Sequence, residues 1–313
     1  MGGKMRKAFV FPGQGAQSIG MGRELAETYP AARSVFEEVD HALGEKLSTL
    51  IWEGDAAELT LTANAQPALM ATSLATLRAM EAEGVNITDA NYVAGHSLGE
   101  YSALAAAGAL GIADAARLLR IRGRAMQEAV PVGEGAMAAL LGLDFATADA
   151  VAREAAQGDV CQAANDNDPA QVVVSGHRAA VERAVELAKA KGAKRAVMLP
   201  VSAPFHCALM QPAAEAMAEA LADVALISPL VPLVANVRAE AVQDPEDIRA
   251  LLVAQVTGVV RWRESVLWMA AQGVGAFWEL GAGKALSGMI RRIVKDAETR
   301  NFGTAQDVAA LRE

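Results

Sequence analysis

Tyr92-Val93-Ala94-Gly95-His96-Ser97-Leu98-Gly99-Glu100-Tyr101-Ser102-Ala103 is the stretch that decides the fold of this chain. Tyr92-Val93-Ala94 read as the end of a short buried strand, and Glu100 to Ala107 read as the start of a helix. Between them, Gly95-His96-Ser97-Leu98-Gly99 spells Gly-x-Ser-x-Gly. That is the pattern of a nucleophile elbow, where a strand turns sharply into a helix and holds a serine out at the bend. The two glycines let strand and helix backbones approach closely. The serine oxygen then lies near a helix N-terminus, whose free N–H groups suit developing negative charge. Leu98 N–H is the natural first donor, because it follows the nucleophile. The alternative is a serine that only caps the helix.

A serine hydroxyl is a poor nucleophile until a base takes its proton. The chain has four histidines. His41 falls in a polar helix and reads as solvated surface. His177 follows Ser175-Gly176 and reads as a helix start. His96 adjoins Ser97, and adjacent side chains usually point apart; it either lines the pocket or packs against the sheet. His206 sits in Val201-Ser202-Ala203-Pro204-Phe205-His206, a loop stiffened by Pro204. Loops held on a scaffold are where catalytic groups concentrate, so His206 is the candidate base.

Outward from the elbow, the chain alternates strands and helices with short links. That order indicates an α/β fold with a mostly parallel sheet covered on both faces. Ala8-Phe9-Val10-Phe11 is the first strand, followed by Gly13-Gln14-Gly15-Ala16-Gln17 and a helix expected to reach about Tyr29. The Gly-rich loop is half of a dinucleotide fingerprint, with Ser18 in place of the third glycine. It fits an oxyanion loop or an ordinary tight turn better than a nucleotide loop. Residues 136 to 199 change rhythm to strand-helix-strand-strand-helix-strand, the ferredoxin-like pattern, with Asp166-Asn167-Asp168-Pro169 as the central turn. The expected organisation is a large α/β domain in two parts, 1–131 and 203–313, with a small ferredoxin-like domain, 132–202, inserted between them. Gly281-Ala282-Gly283-Lys284 lacks the spacing of a phosphate-binding loop, since Trp278 stands where its first glycine is needed.

With 53% hydrophobic and 21% charged residues, the 313-residue chain can bury a large core and is not disordered. No run of about 18 apolar residues suggests a membrane span, and Met5 to Pro12 is too short for a signal peptide. A net charge of -9 disfavours nucleic acid as a partner. Cys161 and Cys207 make neither a disulfide framework nor a metal site, and they suit a reducing cytoplasm. Arg117, Arg120, Arg122 and Arg124, or Arg291-Arg292, could form a basic patch for an acidic carrier.

Ser97 with its flanks, Gly13 to Gln17, and Pro204-Phe205-His206 together resemble the malonyl-CoA:acyl-carrier-protein transacylase family, over Phe9 to about Val294. The resemblance implies Ser97 as the acyl-accepting nucleophile and His206 as its base. It implies oxyanion donors from the backbone of Gln14 and Leu98, and Arg122 as the residue that binds the free malonyl carboxylate. Gln255 matches the position whose backbone carbonyl orients the histidine in place of a triad carboxylate. Asn165 and His96 match pocket positions, and Phe205 looks like the malonyl-selective form. Gly281-Ala282-Gly283 departs from the more usual Gly-Pro-Gly. The implied reaction carries malonyl from malonyl-CoA to the phosphopantetheine thiol of acyl carrier protein, with no metal and no tightly bound cofactor. The rival readings are a serine hydrolase, which would place Asp144, Asp166 or Asp168 behind the histidine, and a non-catalytic carrier-docking protein.

Overall fold

The computed structural model describes residues 5–201 and 203–312. Its strands, in chain order, are β1 (Arg6–Phe11), β2 (Tyr92–Gly95), β3 (Gly135–Leu141), β4 (Cys161–Asp168), β5 (Gln171–His177), β6 (Arg195–Met198), β7 (Leu233–Val234), β8 (Ala241–Val242), β9 (Val274–Leu280) and β10 (Glu298–Phe302). They form two sheets, ordered β10-β9-β1-β2-β7-β8 and β4-β5-β3-β6.

The six-stranded sheet is parallel except for the β7–β8 edge pair. Its central strands are buried on both faces, as a helix-covered parallel sheet requires. Alternation along β1 makes this explicit. Phe9 and Phe11 point into the main core, which is built on the long buried helix Thr62–Ala82. Ala8 and Val10 point into a second core with Trp262, Val266 and Leu286. Loops at the carboxyl ends of neighbouring parallel strands converge, and such ends are where α/β sheets bind ligands. Here the loops after β1, β2 and β7 carry Gln14, Ser97 with Leu98, and Asn236.

The four-stranded sheet is antiparallel, and with its two helices it has the ferredoxin-like order. Ala136, Ala138 and Leu140 of β3 pack under the helices Phe145–Ala156 and Arg178–Ala190. Met137 and Ala139 face the other way, in a small cluster that Phe205 joins. Residue 202, the last of the expected inserted domain, and the first four residues lie outside the described residues.

Three expectations are corrected. Asp166-Asn167-Asp168 is not a turn: β4 runs through it to Asp168, with register shifts between Ala163 and Asn165 and between Asp166 and Asp168. The bulges turn these polar side chains toward the large sheet's side of the molecule. Arg263 grips both Asp166 oxygens at 3.0 and 2.9 Å, Arg292 reaches Asp168 at 2.7 Å, and Asn167 meets His96 at 2.7 Å. After Gly13 to Gln17 the backbone stays in turns to Gly22; only Arg23–Thr28 is helical, and Pro30 starts a separate helix to Leu43. Finally, a further parallel strand, β10, follows the last expected helix.

Candidate active site

β2 ends at Gly95 and the helix Gly99–Ala106 begins four residues later. Only glycine fits at both ends of this bend. A Cβ on Gly95 would overlap the Gly99 carbonyl, and a Cβ on Gly99 would overlap the Phe11 carbonyl. Ser97 takes φ +53°, a left-handed conformation unusual for a residue with a side chain. His206 does the same at φ +56°. Strained backbone of this kind persists where surrounding bonds over-determine it. Around Ser97 they do: its N–H donates to Asn236 Oδ1 at 2.9 Å, and its carbonyl accepts from Gln255 Nε2 at 2.9 Å.

Ser97 Oγ lies 2.7 Å from His206 Nε2, although 109 residues separate them in sequence. His206 Nδ1 lies 2.8 Å from the Gln255 backbone carbonyl. A carbonyl only accepts, so Nδ1 carries the proton and Nε2 presents its lone pair to the serine hydroxyl. Burial, then the charge of Arg122, push the His206 pKa down to about 3. The imidazole is therefore neutral and ready to accept a proton. The backbone N–H groups of Gln14 and Leu98 have no acceptor among the described residues. The Gln14 side chain is tied back, its Oε1 accepting from Thr62 Oγ1 at 2.8 Å.

Arg122, on the helix Ile112–Glu128, is 1% exposed. It donates to Gln66 Oε1 at 2.7 Å, Gln255 Oε1 at 2.7 Å and Ser97 Oγ at 3.0 Å. The Tyr101 ring lies 5.7 Å from its guanidinium carbon. All three acceptors are neutral, no carboxylate is within ion-pair distance among the described residues, and Nε has no partner. Burial lowers its pKa, yet guanidinium stays charged in proteins. A buried cation without a counter-ion is costly, and it is a ready receptor for an anionic ligand.

The structure thus brings Ser97, His206, Arg122, Gln255 and Leu98 together, with Gln14 on the adjoining loop. His96 lies beside them, held by Asn167, with its ring tilted against Trp262 at 5.8 Å, and burial lowers its pKa. Phe205 is half-buried and packs at the joint between the two sheets. Asn165 is buried on β4, bridged through its backbone to Val260, and makes no hydrogen bond to Ser97, His206 or Arg122 among the described residues. The carboxylates that a hydrolase triad would need are elsewhere: Asp144 caps a helix at Thr147, and Asp166 and Asp168 hold arginines. The four-arginine patch does not form, because Arg120 and Arg122 are buried while Arg117 and Arg124 are exposed. Arg291 and Arg292 are exposed. Among the described residues, no group of three His, Cys, Asp or Glu side chains is placed to hold a metal ion.

Sequence reasoning missed Asn236 and Glu100. Glu100 Oε1 accepts from Asn236 N–H at 2.6 Å, and Asn236 Nδ2 donates to the Gly95 carbonyl at 2.7 Å. An acidic residue in the first turn of a helix ordinarily signals a dipole contact at the surface, so nothing local marked Glu100 as buried.

A chain with this geometry has relatives. The family described as acyl transferase domain matches residues 8–309. A Bacillus subtilis (strain 168) protein named malonyl CoA-acyl carrier protein transacylase is 50% identical over 293 residues, 93% of this chain and 92% of its own length. A solved acyl-carrier-protein-S-malonyltransferase from Bartonella henselae superposes with a TM-score of 0.96 at 59% identity, covering 98% of this chain and 99% of the other. A malonyl-transacylase solved in complex with its type II PKS acyl-carrier protein gives a TM-score of 0.95 at 42% identity, covering 98% of each chain. The chain belongs to the acyl transferase domain family.

Proposed function

We propose that this chain transfers a malonyl group from malonyl-CoA to the phosphopantetheine thiol of acyl carrier protein, through a malonyl ester on Ser97. The observation that carries the reading is one oxygen with two neighbours: Ser97 Oγ is 2.7 Å from a neutral imidazole and 3.0 Å from a buried guanidinium. The first activates the serine, and the second selects an acyl group that bears a carboxylate. The names of the relatives supply the donor and the acceptor.

In the proposed cycle, the malonyl carboxylate takes over the hydrogen bond that Arg122 Nη2 now gives to Oγ. His206 Nε2 accepts the hydroxyl proton as Oγ attacks the thioester carbon. Gln14 and Leu98 N–H groups hold the oxyanion. The C–S bond breaks, and the coenzyme A sulfur leaves with the proton from His206. The carrier's thiol then gives its proton to His206 and attacks the Ser97 ester, which returns the free serine. This is covalent double-displacement chemistry, and its steps call on no tightly bound cofactor. Gln255 fixes the imidazole through its backbone carbonyl. His96, Asn165 and Phe205 line the acyl pocket, and Arg291 offers an acidic carrier an exposed cation, next to Arg292, whose guanidinium is paired with Asp168. The same reading treats 132–202 as an inserted unit closing the cleft. It sets the protein in the cytoplasm, in keeping with two free cysteines. No helix among the described residues is long and apolar enough to cross a membrane.

Intact mass spectrometry after brief mixing with malonyl-CoA tests the proposal. The wild type gains a malonyl adduct that carrier protein discharges, and Ser97→Ala gains none. An adduct on Ser97→Ala, or release of free malonate without loading of the carrier, refutes it.

A further inference from the structure

Glu100 lies beneath the site rather than in it, 1% exposed in the first turn of the elbow helix. Both its oxygens are committed. Oε1 accepts the Asn236 backbone N–H at 2.6 Å, and Oε2 accepts from Gln255 Nε2 at 2.5 Å. Through these two residues it reaches Ser97, His206 and Arg122. Asn236 holds the Ser97 N–H and the Gly95 carbonyl. Gln255 Nε2 faces three acceptors: Glu100 Oε2, Ser97 O and Asn236 Oδ1. The amide therefore has one workable orientation, with Oε1 toward Arg122 Nη2. The backbone carbonyl of the same Gln255 holds His206 Nδ1.

Donor counting shows why the group is a carboxylate. Asn236 N–H and Gln255 Nε2–H both point at Glu100. Two carboxylate oxygens accept both. A glutamine amide must turn its NH2 group toward one of them, and a protonated carboxyl meets one of them with the weaker acceptor of its hydroxyl oxygen. The contacts therefore fit the ionised form, while burial disfavours it. Among the described residues no cation touches Glu100; Arg122 lies beyond the Gln255 amide, hydrogen-bonded to its far end. The charged and titratable groups around Glu100 are Arg122, on the helix Ile112–Glu128, and Tyr101, on its own helix. The Asn236 loop and the helix Pro245–Thr257 present only neutral donors. Burial pushes the Glu100 pKa up to about 7, with the Asn236 and Gln255 hydrogen bonds and then Arg122 pulling the other way.

We propose that Glu100 is a positioning residue whose ionised carboxylate holds Gln255 and the elbow in register, so that activity on the acid side is lost when Glu100, not the catalytic imidazole, takes a proton. The inference rests on the reading of Ser97 and His206 as nucleophile and base. It deepens that reading by separating the group that sets the pH profile from the group that does the chemistry.

The test is the pH profile of kcat/KM with malonyl-pantetheine, whose one carboxylate stays ionised across the range. In the wild type an acid limb of one proton falls near the Glu100 value of about 7. In Glu100→Gln that limb disappears, on a plateau lowered roughly 5- to 150-fold by the buried donor left unsatisfied. A Glu100→Gln enzyme that keeps the wild-type limb overturns the proposal. A second measurement needs no variant. Carboxyl ionisation is nearly heat-neutral, whereas imidazole ionisation absorbs heat, so the wild-type limb stays in place between cold and warm assays; a limb that moves down on warming belongs to a histidine and overturns the proposal. The parent reading fails separately, by mass at a single pH, if Ser97→Ala still acquires the acyl group.

Discussion

Replacing Arg122 with methionine removes the guanidinium while an unbranched apolar chain still fills the space of its stem. Arg122 is 1% exposed and gives its hydrogen bonds to three neutral oxygens. A malonyl carboxylate delivered there is out of water with one cation to meet it. Without that cation the substrate's charge is left buried and unpaired, which costs about 3–5 kcal/mol. At about 1.36 kcal/mol per decade, kcat/KM for malonyl-CoA falls roughly 150- to 5,000-fold. Acetyl-CoA brings no charge. Its attack loses only the contact between Nη2 and Ser97 Oγ, about 1 kcal/mol or fivefold, and the site gains by no longer burying a cation. Malonyl-over-acetyl preference therefore drops by at least about 30-fold. Rates of acyl-enzyme formation for both thioesters, by rapid quench and intact mass, measure it, with a melting curve to verify folding. Losses that agree within about threefold on the two substrates refute the carboxylate role of Arg122.

Gly95→Ala places a methyl into the Gly99 backbone, which cannot yield as a side chain would; a loss of about 4 kcal/mol or more is expected, read as a fall in melting temperature or as insoluble protein. Arg263→Ala strands the Asp166 carboxylate, 1% exposed at its side chain; denaturant titration should show a loss of about 3–5 kcal/mol, with part recovered in Arg263→Ala/Asp166→Asn, where no charge is left unpaired. The Glu100 pKa of about 7 lies above its ordinary value of 4.5, so the folded chain keeps this proton longer than the unfolded chain. Its contribution to stability therefore falls as pH rises between these two values, by about 3 kcal/mol in total, and is not lost on the acid side. His206 has the opposite sign: its folded value of about 3 is depressed from 6.5, so its contribution falls as pH drops through that interval. Where the two intervals overlap the slopes offset each other. Urea midpoints across the range should steepen with pH in Glu100→Gln and reverse in His206→Gln; unchanged slopes in both variants contradict the assignments.

The elbow was legible because its chemistry is local: two glycines, a serine and the change from strand to helix lie in one short run. The ferredoxin-like unit was legible from the order of its elements. What stayed hidden depended on partners far away in sequence. Asp166-Asn167-Asp168 has a turn's composition, but Arg263, His96 and Arg292 satisfy those side chains and let β4 continue. The arginine cluster was readable in part. Arg117 and Arg124, seven residues apart, share a helix face, while Arg122 lies about 140° around from Arg117 at about 100° per residue. A closer count of the helical period would have separated the buried arginine from the exposed ones. Arg120 would still have looked exposed, since its partners Ala63, Asn64 and Glu45 lie on other segments.

The imidazole of His206 leans on a peptide oxygen, and a peptide oxygen belongs to every amino acid alike. No single codon change at position 255 can delete it, whereas an aspartate in that place would be one base away from loss. What selection can act on at position 255 is the side chain, which ties Ser97 O to Arg122 and so couples the seat of the imidazole to the guanidinium beside it.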